Sequence, residues 1–162
     1  MIQRYSRPAM REIWSEQRKL EIWLEIELLA SEALCAEGLV PKRDFARMRA
    51  RAAFNLDRCK ELERTLNHDV IAFTTAVSEY LGPESRWLHY GLTSNDVVDT
   101  AQNLLLKEAS AIILDDLRRL SDVLKRRALE FQHRLLIARA LQRDDRRRVH
   151  ARPHVHVVAV VA

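Results

Sequence analysis

The feature that most constrains the fold is a helical pattern of apolar residues running from about Ser94 to Phe131. Its members recur at the three- and four-residue spacing of one helix face: Val97, Val98, Ala101, Leu104, Leu105, Ile112, Ile113, Leu117, Leu120, Val123, Leu124, Ala128 and Phe131. At about 1.5 Å per residue, such a helix is about 57 Å long. A small domain needs no rod of this length for its own core, so we expect the apolar seam to pack against helices from further chain or partner subunits.

The composition favours an all-α fold. Three glycines and four prolines punctuate 162 residues, of which 48% are hydrophobic and 31% charged, as in a mostly helical globular chain. No apolar run approaches the roughly 20 residues of a membrane span, and we expect no signal peptide from the residues at the start of the sequence. Cys35 and Cys59 have no metal-ligand spacing and are expected to be reduced thiols in the cytoplasm.

The basic charge belongs to the C-terminal tail. Residues 1–131 contain 20 Lys and Arg against 21 Asp and Glu, whereas residues 132–162 contain seven Arg against two Asp. Residues 1–131 therefore carry no electrostatic signal for nucleic acid, and only the tail keeps that alternative open. The alternating His150, His154 and His156 lack a second ligand set, so we predict no metal site.

Five shorter helices are predicted before the long one. They are a brief helix opened by Pro8, a helix from Ser15 to about Glu37 stopped by Gly38, a basic helix at 42–53, a helix at 56–66, and one capped by Asn67 and closed by Gly82-Pro83. The second helix carries two apolar stripes, Leu20, Trp23, Leu24 and Leu28 on one and Ile22, Ile26, Leu29 and Ala33 on the other. Two stripes predict burial on more than one side, between neighbouring helices.

The start of the long helix is the strongest candidate site. Thr93 or Ser94 can cap it, and Asp96 falls in its first turn. Exposed N–H groups and the positive end of the helix dipole favour an anionic group there, although an ordinary capped helix explains the Thr-Ser pair equally well. The two histidines of residues 1–131, His68 and His89, both adjoin helix starts, where they can donate to a phosphorylated or polycarboxylate ligand.

Three segments together resemble a known family. Residues 1–8 read Met-Ile-Gln-Arg-Tyr-Ser-Arg-Pro, residues 67–73 read Asn-His-Asp-Val-Ile-Ala-Phe, and residues 89–100 read His-Tyr-Gly-Leu-Thr-Ser-Asn-Asp-Val-Val-Asp-Thr. They closely resemble the N-terminal third of bacterial adenylosuccinate lyases, of the fumarase/aspartase superfamily. The resemblance implies a small helical domain at 1–92, the first long helix of a central bundle at 93–131, and a tail at 132–162 that is not family-like.

The resemblance also implies a function and a set of site residues. Family members eliminate fumarate from adenylosuccinate and from a succinylated carboxamide ribotide, as homotetramers that use no cofactor and share active sites between subunits. By motif, the nucleotide-binding residues are Arg4 and Tyr5, a second substrate-contact segment is Asn67, His68 and Asp69, and the binders of the succinyl carboxylate are Thr93 and Ser94. His89 resembles a family histidine near the phosphate or the catalytic groups.

The chain departs from the family after Phe131. The family pattern places a Gly-Arg-Thr/Ser-His-Gly motif with a catalytic histidine about ten residues later, where residues 137–145 read Ile-Ala-Arg-Ala-Leu-Gln-Arg-Asp-Asp. We therefore expect a reading-frame change or truncation, and no activity from this chain alone. Two alternatives stay open: another lyase of the superfamily, of argininosuccinate or fumarase type, and a non-catalytic helical module that binds partner helices through its seam.

Overall fold

The computed structural model describes residues 3–132, and the elements in this range are helical. The α-helices in chain order are α1 (Pro8–Ile13), α2 (Glu16–Ala36), α3 (Lys42–Arg51), α4 (Leu56–Leu66), α5 (Asp69–Ser78) and α6 (Ser94–Phe131). Short 3-10 helices lie at Gln3–Tyr5 and Pro83–Trp87. The predicted all-α class is confirmed, whereas the predictions for the basic tail and its histidines concern residues outside the described range.

Local capping explains where the helices begin and end. The Ser15 hydroxyl accepts the N–H of Arg18 at 3.1 Å to open α2, and the Asn55 side chain accepts the N–H of Arg58 at 2.9 Å to open α4. Gly38 has a φ of +78°, in the left-handed region that glycine adopts without a steric penalty, and α2 ends just before it. These boundaries agree with the sequence to within one or two residues.

The junction between α4 and α5 differs from the prediction. Asn67 does not cap α5; it ends α4 in the left-handed conformation, with a φ of 52°, and its N–H donates to the Glu63 carbonyl at 2.8 Å. Asparagine tolerates this conformation better than most residues. His68 is the N-cap of α5 instead, and α5 ends at Ser78, several residues before Gly82.

Helix α2 lies at the centre of the core. It packs against α1, α3 and α4, and Arg18 on α2 forms an ion pair with Glu108 on α6. The core centres on Phe73, which is fully buried and meets the rings of Trp23 and Phe54 edge-to-face, at centroid distances of 5.6 and 5.8 Å. The position of α2 between α1, α3 and α4 confirms the burial between neighbouring helices that its two apolar stripes predicted.

The second stripe of α2 is only partly correct. Ile22 is buried, but Leu29 is 52% exposed and Ala33 is also exposed. The face that turns inward continues from Leu20 and Trp23 to Glu27 and Ser31, both of them buried polar residues. Sequence reasoning missed these two residues because it followed hydrophobic side chains only.

The chain divides into two compact units, and the division lies inside α6. The first spans Met1–Leu114 and contains the core, to which α6 contributes Val97, Ala101, Leu105 and Ala109. The second begins at Asp115, and in its described part apolar side chains such as Leu117 and Leu124 are 54% and 59% exposed. The expected boundaries at 92/93 and 131/132 stay predictions. Among residues 3–132, no helix combines the length and apolar character that crossing a bilayer requires.

Truncating the central aromatic side chain tests this core. We expect Phe73→Ala to lower the free energy of unfolding by about 3–5 kcal/mol, because it removes a fully buried ring and leaves a cavity. Urea denaturation measures the change. Ile71→Ala on the same helix is the matched control, since Ile71 is 48% exposed, and we expect it to cost under about 1 kcal/mol. Equal losses of unfolding free energy from the two variants would contradict this packing, because they would show that Phe73 is no more buried than Ile71.

The exposed seam of α6 predicts self-association. We expect the chain to form oligomers or aggregates in solution, because apolar side chains that remain in water associate. Multi-angle light scattering measures the mass, and changing Leu117 and Leu124 together to arginine should shift it towards the monomer. Leu39→Arg, at a position 58% exposed and outside α6, should leave the mass unchanged. A monodisperse monomer from the unmodified chain would contradict the prediction.

Candidate functional site

The start of α6 is closed by a reciprocal cap. The Thr93 hydroxyl accepts the N–H of Asp96 at 3.4 Å. In return, the backbone N–H and the hydroxyl of Thr93 donate to the Asp96 carboxylate at 2.7 and 2.8 Å. Thr93 is therefore the N-cap, Ser94 is the first helical residue, and the predicted place of Asp96 in the first turn is confirmed.

This cap has an electrostatic consequence. The backbone N–H of Thr93, and then its hydroxyl, hold the pKa of Asp96 below its ordinary value of 3.8, because hydrogen bonds to a carboxylate favour its ionised form. The carboxylate of Asp96 also occupies the anion-favouring end of the helix dipole. A substrate carboxylate that bound Thr93 would have to take these two donors from Asp96.

His89 lies just before the α6 start and is held by a buried carboxylate of α2. Its backbone N–H donates to Glu27 Oε2 at 2.8 Å, and its ring Nδ1 lies 2.5 Å from Glu27 Oε1. The backbone of His89 is left-handed, with a φ of 61°, and Gly91 follows with a φ of 77°. This conformation turns the chain from the 3-10 helix towards α6.

The chain before His89 is tied to two helices. The indole N–H of Trp87 donates to Asp44 on α3 at 2.9 Å, and Arg86 donates to the same carboxylate oxygen at 3.2 Å. Both hold the pKa of Asp44 below its usual range, the Trp87 hydrogen bond more than the Arg86 one. The Ser31 hydroxyl on α2 lies 3.4 Å from the Trp87 carbonyl. Helices α2 and α3 thus fix the segment that presents His89.

The start of α5 forms a separate open depression of about 720 Å³. It is lined by Lys60, Glu63, Arg64, Asn67, His68 and Asp69. The Nδ1 atom of His68 accepts the N–H of Ile71 at 3.4 Å, which leaves Nε2 as the ring nitrogen for other partners. The structure therefore groups the predicted Asn67, His68 and Asp69, and adds three charged residues of α4 that the sequence analysis did not single out.

One chain does not gather the predicted site residues into one place. Asp69 shares a small cavity with Lys19, in the N-terminal half of α2, whereas His89 contacts Glu27. Lys19 and Glu27 are eight residues apart, about 12 Å along a helix. In the predicted pair at the N-terminus, the guanidinium of Arg4 lies over the Tyr5 ring, 4.8 Å from its centroid, and Tyr5 is 73% exposed.

Comparison with known proteins identifies the family. A family model described as "Lyase" matches residues 3–144. The chain belongs to this lyase family. It is 50% identical over 139 residues to proteins named adenylosuccinate lyase from Bacillus subtilis (strain 168) and Streptococcus mutans serotype c, a match that covers 86% of this chain. The resemblance inferred from the three motifs is confirmed.

The match covers only part of each relative. The chain spans 32% of the length of each of these two relatives. A crystal structure of fumarate lyase from Mesorhizobium sp. BNC1 matches 82% of this chain and 32% of its own, with a TM-score of 0.75 at 22% identity, and supports the helical fold. The roles of the individual site residues stay predictions for this lyase-family chain.

The Thr93–Asp96 cap can be tested by titration. We expect the Asp96 pKa, measured from its carboxyl ¹³C shift, to lie below 3.8 and to rise partway towards that value in Thr93→Ala, because the hydroxyl donor is lost while the backbone donor remains. A carboxyl pKa lowered by folding stabilises the fold above its unfolded pKa, and this contribution is lost as the pH falls through the folded pKa. Thr100→Ala, an exposed site on α6, is the control. An unperturbed Asp96 in the unmodified chain would rule out the cap.

Proposed function

We propose that this chain is the N-terminal part of an adenylosuccinate lyase-like enzyme, which eliminates fumarate from adenylosuccinate and from succinylated aminoimidazole carboxamide ribotide. The observation that carries the proposal is the 50% identity to two proteins named adenylosuccinate lyase, over 139 residues. The match to the family model, over residues 3–144, spans the second and third motifs and most of the first. The proposed enzyme is a cytoplasmic homotetramer of purine nucleotide synthesis.

The chemistry assigned to the enzyme is a proton-transfer elimination without a cofactor. A base removes a proton beside a carboxylate, an acid protonates the departing amine, and fixed donors hold the developing negative charge. The proposed roles follow the motifs: Thr93 and Ser94 bind the succinyl carboxylate, and Arg4 and Tyr5 bind the nucleotide. His89 lies near the phosphate or among the catalytic groups.

The residues around Asn67, His68 and Asp69 support their proposed role in contacting the substrate. His68 and Asp69 border the depression at the α5 start together with Lys60 and Arg64. Lys60 and Arg64, which lie beside the carboxylates of Glu63 and Asp69, can donate to an anionic substrate group, and charge-assisted hydrogen bonds to phosphate and carboxylate are the stronger ones. We propose that Asn67, His68 and Asp69 contact the substrate from this depression.

A site assembled from several subunits would explain why the predicted site residues of one chain lie apart. Asp69 lines a cavity with Lys19 in the N-terminal half of α2, whereas His89 contacts Glu27 farther along that helix, so a single chain offers each as one fragment of a site. The exposed seam of α6 gives the subunits an apolar face through which to associate, and self-association would bring fragments of different copies together. The separation is thus a reason to propose a shared active site.

Two other functions are distinguishable from this one. A lyase acting on argininosuccinate would keep the fold and the capped α6 start but recognise a different amine. A non-catalytic module is favoured by one observation, the exposed apolar side chains of α6, which suit a partner helix as well as a sister subunit. Calorimetry of the 162-residue chain separates them: heat with adenylosuccinate and none with argininosuccinate supports the proposal.

A chimera tests the activity directly. We expect a Bacillus subtilis adenylosuccinate lyase, with its N-terminal part replaced by residues 1–131 of this chain, to release fumarate from adenylosuccinate and not from argininosuccinate. Thr93→Ala in the chimera should lower kcat/KM by roughly 10²-fold, because a donor to the substrate carboxylate is lost. Fumarate is followed by its ultraviolet absorbance.

Thr100→Ala is the matched control for this experiment, since the same change at an exposed position of α6 should leave kcat/KM within about twofold. Circular dichroism and light scattering establish that each chimera is folded and tetrameric. A folded tetramer without activity towards adenylosuccinate would refute the assignment of these residues to that substrate, and turnover of argininosuccinate instead would support the alternative lyase.

A further inference from the structure

Glu27 is a buried carboxylate on the core face of α2. Its residue exposure is 0%, and it continues the inward face of Leu20 and Trp23. Carboxylates are rarely buried unless they are paired, because removing their charge from water is costly. Both carboxylate oxygens of Glu27 are directed at one residue, His89.

The first of these contacts fixes the backbone of His89. Glu27 Oε2 accepts the backbone N–H at 2.8 Å, at a residue whose φ of 61° is uncommon for a side chain other than glycine. The same turn of α2 holds the preceding residues, since the Ser31 hydroxyl reaches the carbonyl of Trp87. The position of the histidine is therefore set by α2.

The second contact fixes the ring. The ring Nδ1 lies 2.5 Å from Glu27 Oε1. Because an ionised carboxylate can only accept hydrogen bonds, this contact favours the tautomer in which Nδ1 carries the proton. The other nitrogen, Nε2, lies on the opposite edge of the ring. Because the His89 side chain is 26% exposed and Glu27 is not exposed at all, Nε2 is the nitrogen that remains for an external group.

The ring also acts on the start of α6. The pKa of Asp96 is lowered chiefly by the donors of Thr93 and in smaller part by the charge of His89. The histidine thus lies close enough to the capped helix start for its charge to be felt there. An anion bound at this helix end would meet the same field.

We propose that Glu27 is a positioning residue: its carboxylate sets the orientation and tautomer of His89, so that Nε2 is the ring atom that faces the substrate. This inference rests on the proposed function only for the identity of the substrate. The arrangement is that of a buried carboxylate behind a working histidine, in which the carboxylate selects the ring nitrogen that reacts.

A role in stability alone explains the arrangement less well. An apolar side chain at this position would extend the core face begun by Leu20 and Trp23, and replacing a buried ion pair by well-packed apolar residues is often neutral or stabilising. A carboxylate held against one histidine instead confers a defined ring orientation on a residue that stands at the edge of the candidate site.

The first test is spectroscopic and needs no substrate. In ¹⁵N-histidine-labelled full-length chain, in alkaline buffer, we expect the His89 ring to be the Nδ1–H tautomer, with its signals assigned by their loss in His89→Gln. Glu27→Gln should shift the ring towards the Nε2–H tautomer that free histidine prefers. Glu25→Gln, an exposed position on the same helix, should leave the signals unchanged. An Nε2–H ring in the unmodified chain would overturn the proposal, whatever the variants do.

The second test uses the chimera with the Bacillus subtilis enzyme. Glu27→Gln should raise the KM for adenylosuccinate about tenfold or more, the range seen when the partner of a working histidine is lost, while Glu25→Gln changes it by less than about twofold. Adding Glu27→Gln to a His89→Gln chimera should cause no further loss, because both changes remove one coupled unit.

Additive losses in this cycle would overturn the positioning role, as they would show that Glu27 acts without His89. The two tests also separate the inference from the proposed function. An inactive but folded chimera would refute the substrate, and the tautomer of His89 would still decide the role of Glu27.

Discussion

The structure around the candidate site depends on one buried carboxylate. Glu27 occupies a place on α2 that the core pattern would fill with an apolar side chain, and its two oxygens are satisfied by the backbone and the ring of His89. Because an unpaired charge there would be costly, this pairing ties the segment before α6 to the core. The capped start of α6, with Thr93 and Asp96, follows a few residues later and inherits its position from that anchor. The contact between Glu27 and His89 thus connects the core to the segment that leads into the capped start of α6.

The two parts of the candidate site, the start of α5 and the start of α6, are held in place by different contacts. The α5 start is placed by the left-handed end of α4 at Asn67 and opens beside the N-terminal half of α2. The α6 start is placed by Glu27 farther along the same helix. The two starts lie beside different parts of α2, which agrees with the proposal that several copies of the chain each contribute part of an active site. The exposed apolar side chains of α6 are the surface proposed for that association.

Where prediction failed, the reason is visible in particular residues. Leu29 and Ala33 fit a helical stripe but remain exposed, because hydrophobic spacing alone does not say which side of a helix has a neighbour. Asn67 has the side chain of an N-cap, yet its tolerance of the left-handed conformation made it the end of the preceding helix. Glu27 was overlooked although it lies four residues after Trp23 and seven after Leu20, in phase with the core, a spacing at which a carboxylate signals a buried partner.

The sequence by itself determined the all-helical class, the cap at Ser15, a cap at Thr93 or Ser94, the stop at Gly38, and the family to which the chain belongs. These follow from local hydrogen bonding, backbone sterics and motifs, which act over a few neighbouring residues. Only the tertiary structure decided that Glu27 lies behind His89 and that the α5 and α6 starts meet different parts of α2. Those relations join residues as much as 62 positions apart, and contacts of that range depend on how helices pack in space, which no local pattern encodes.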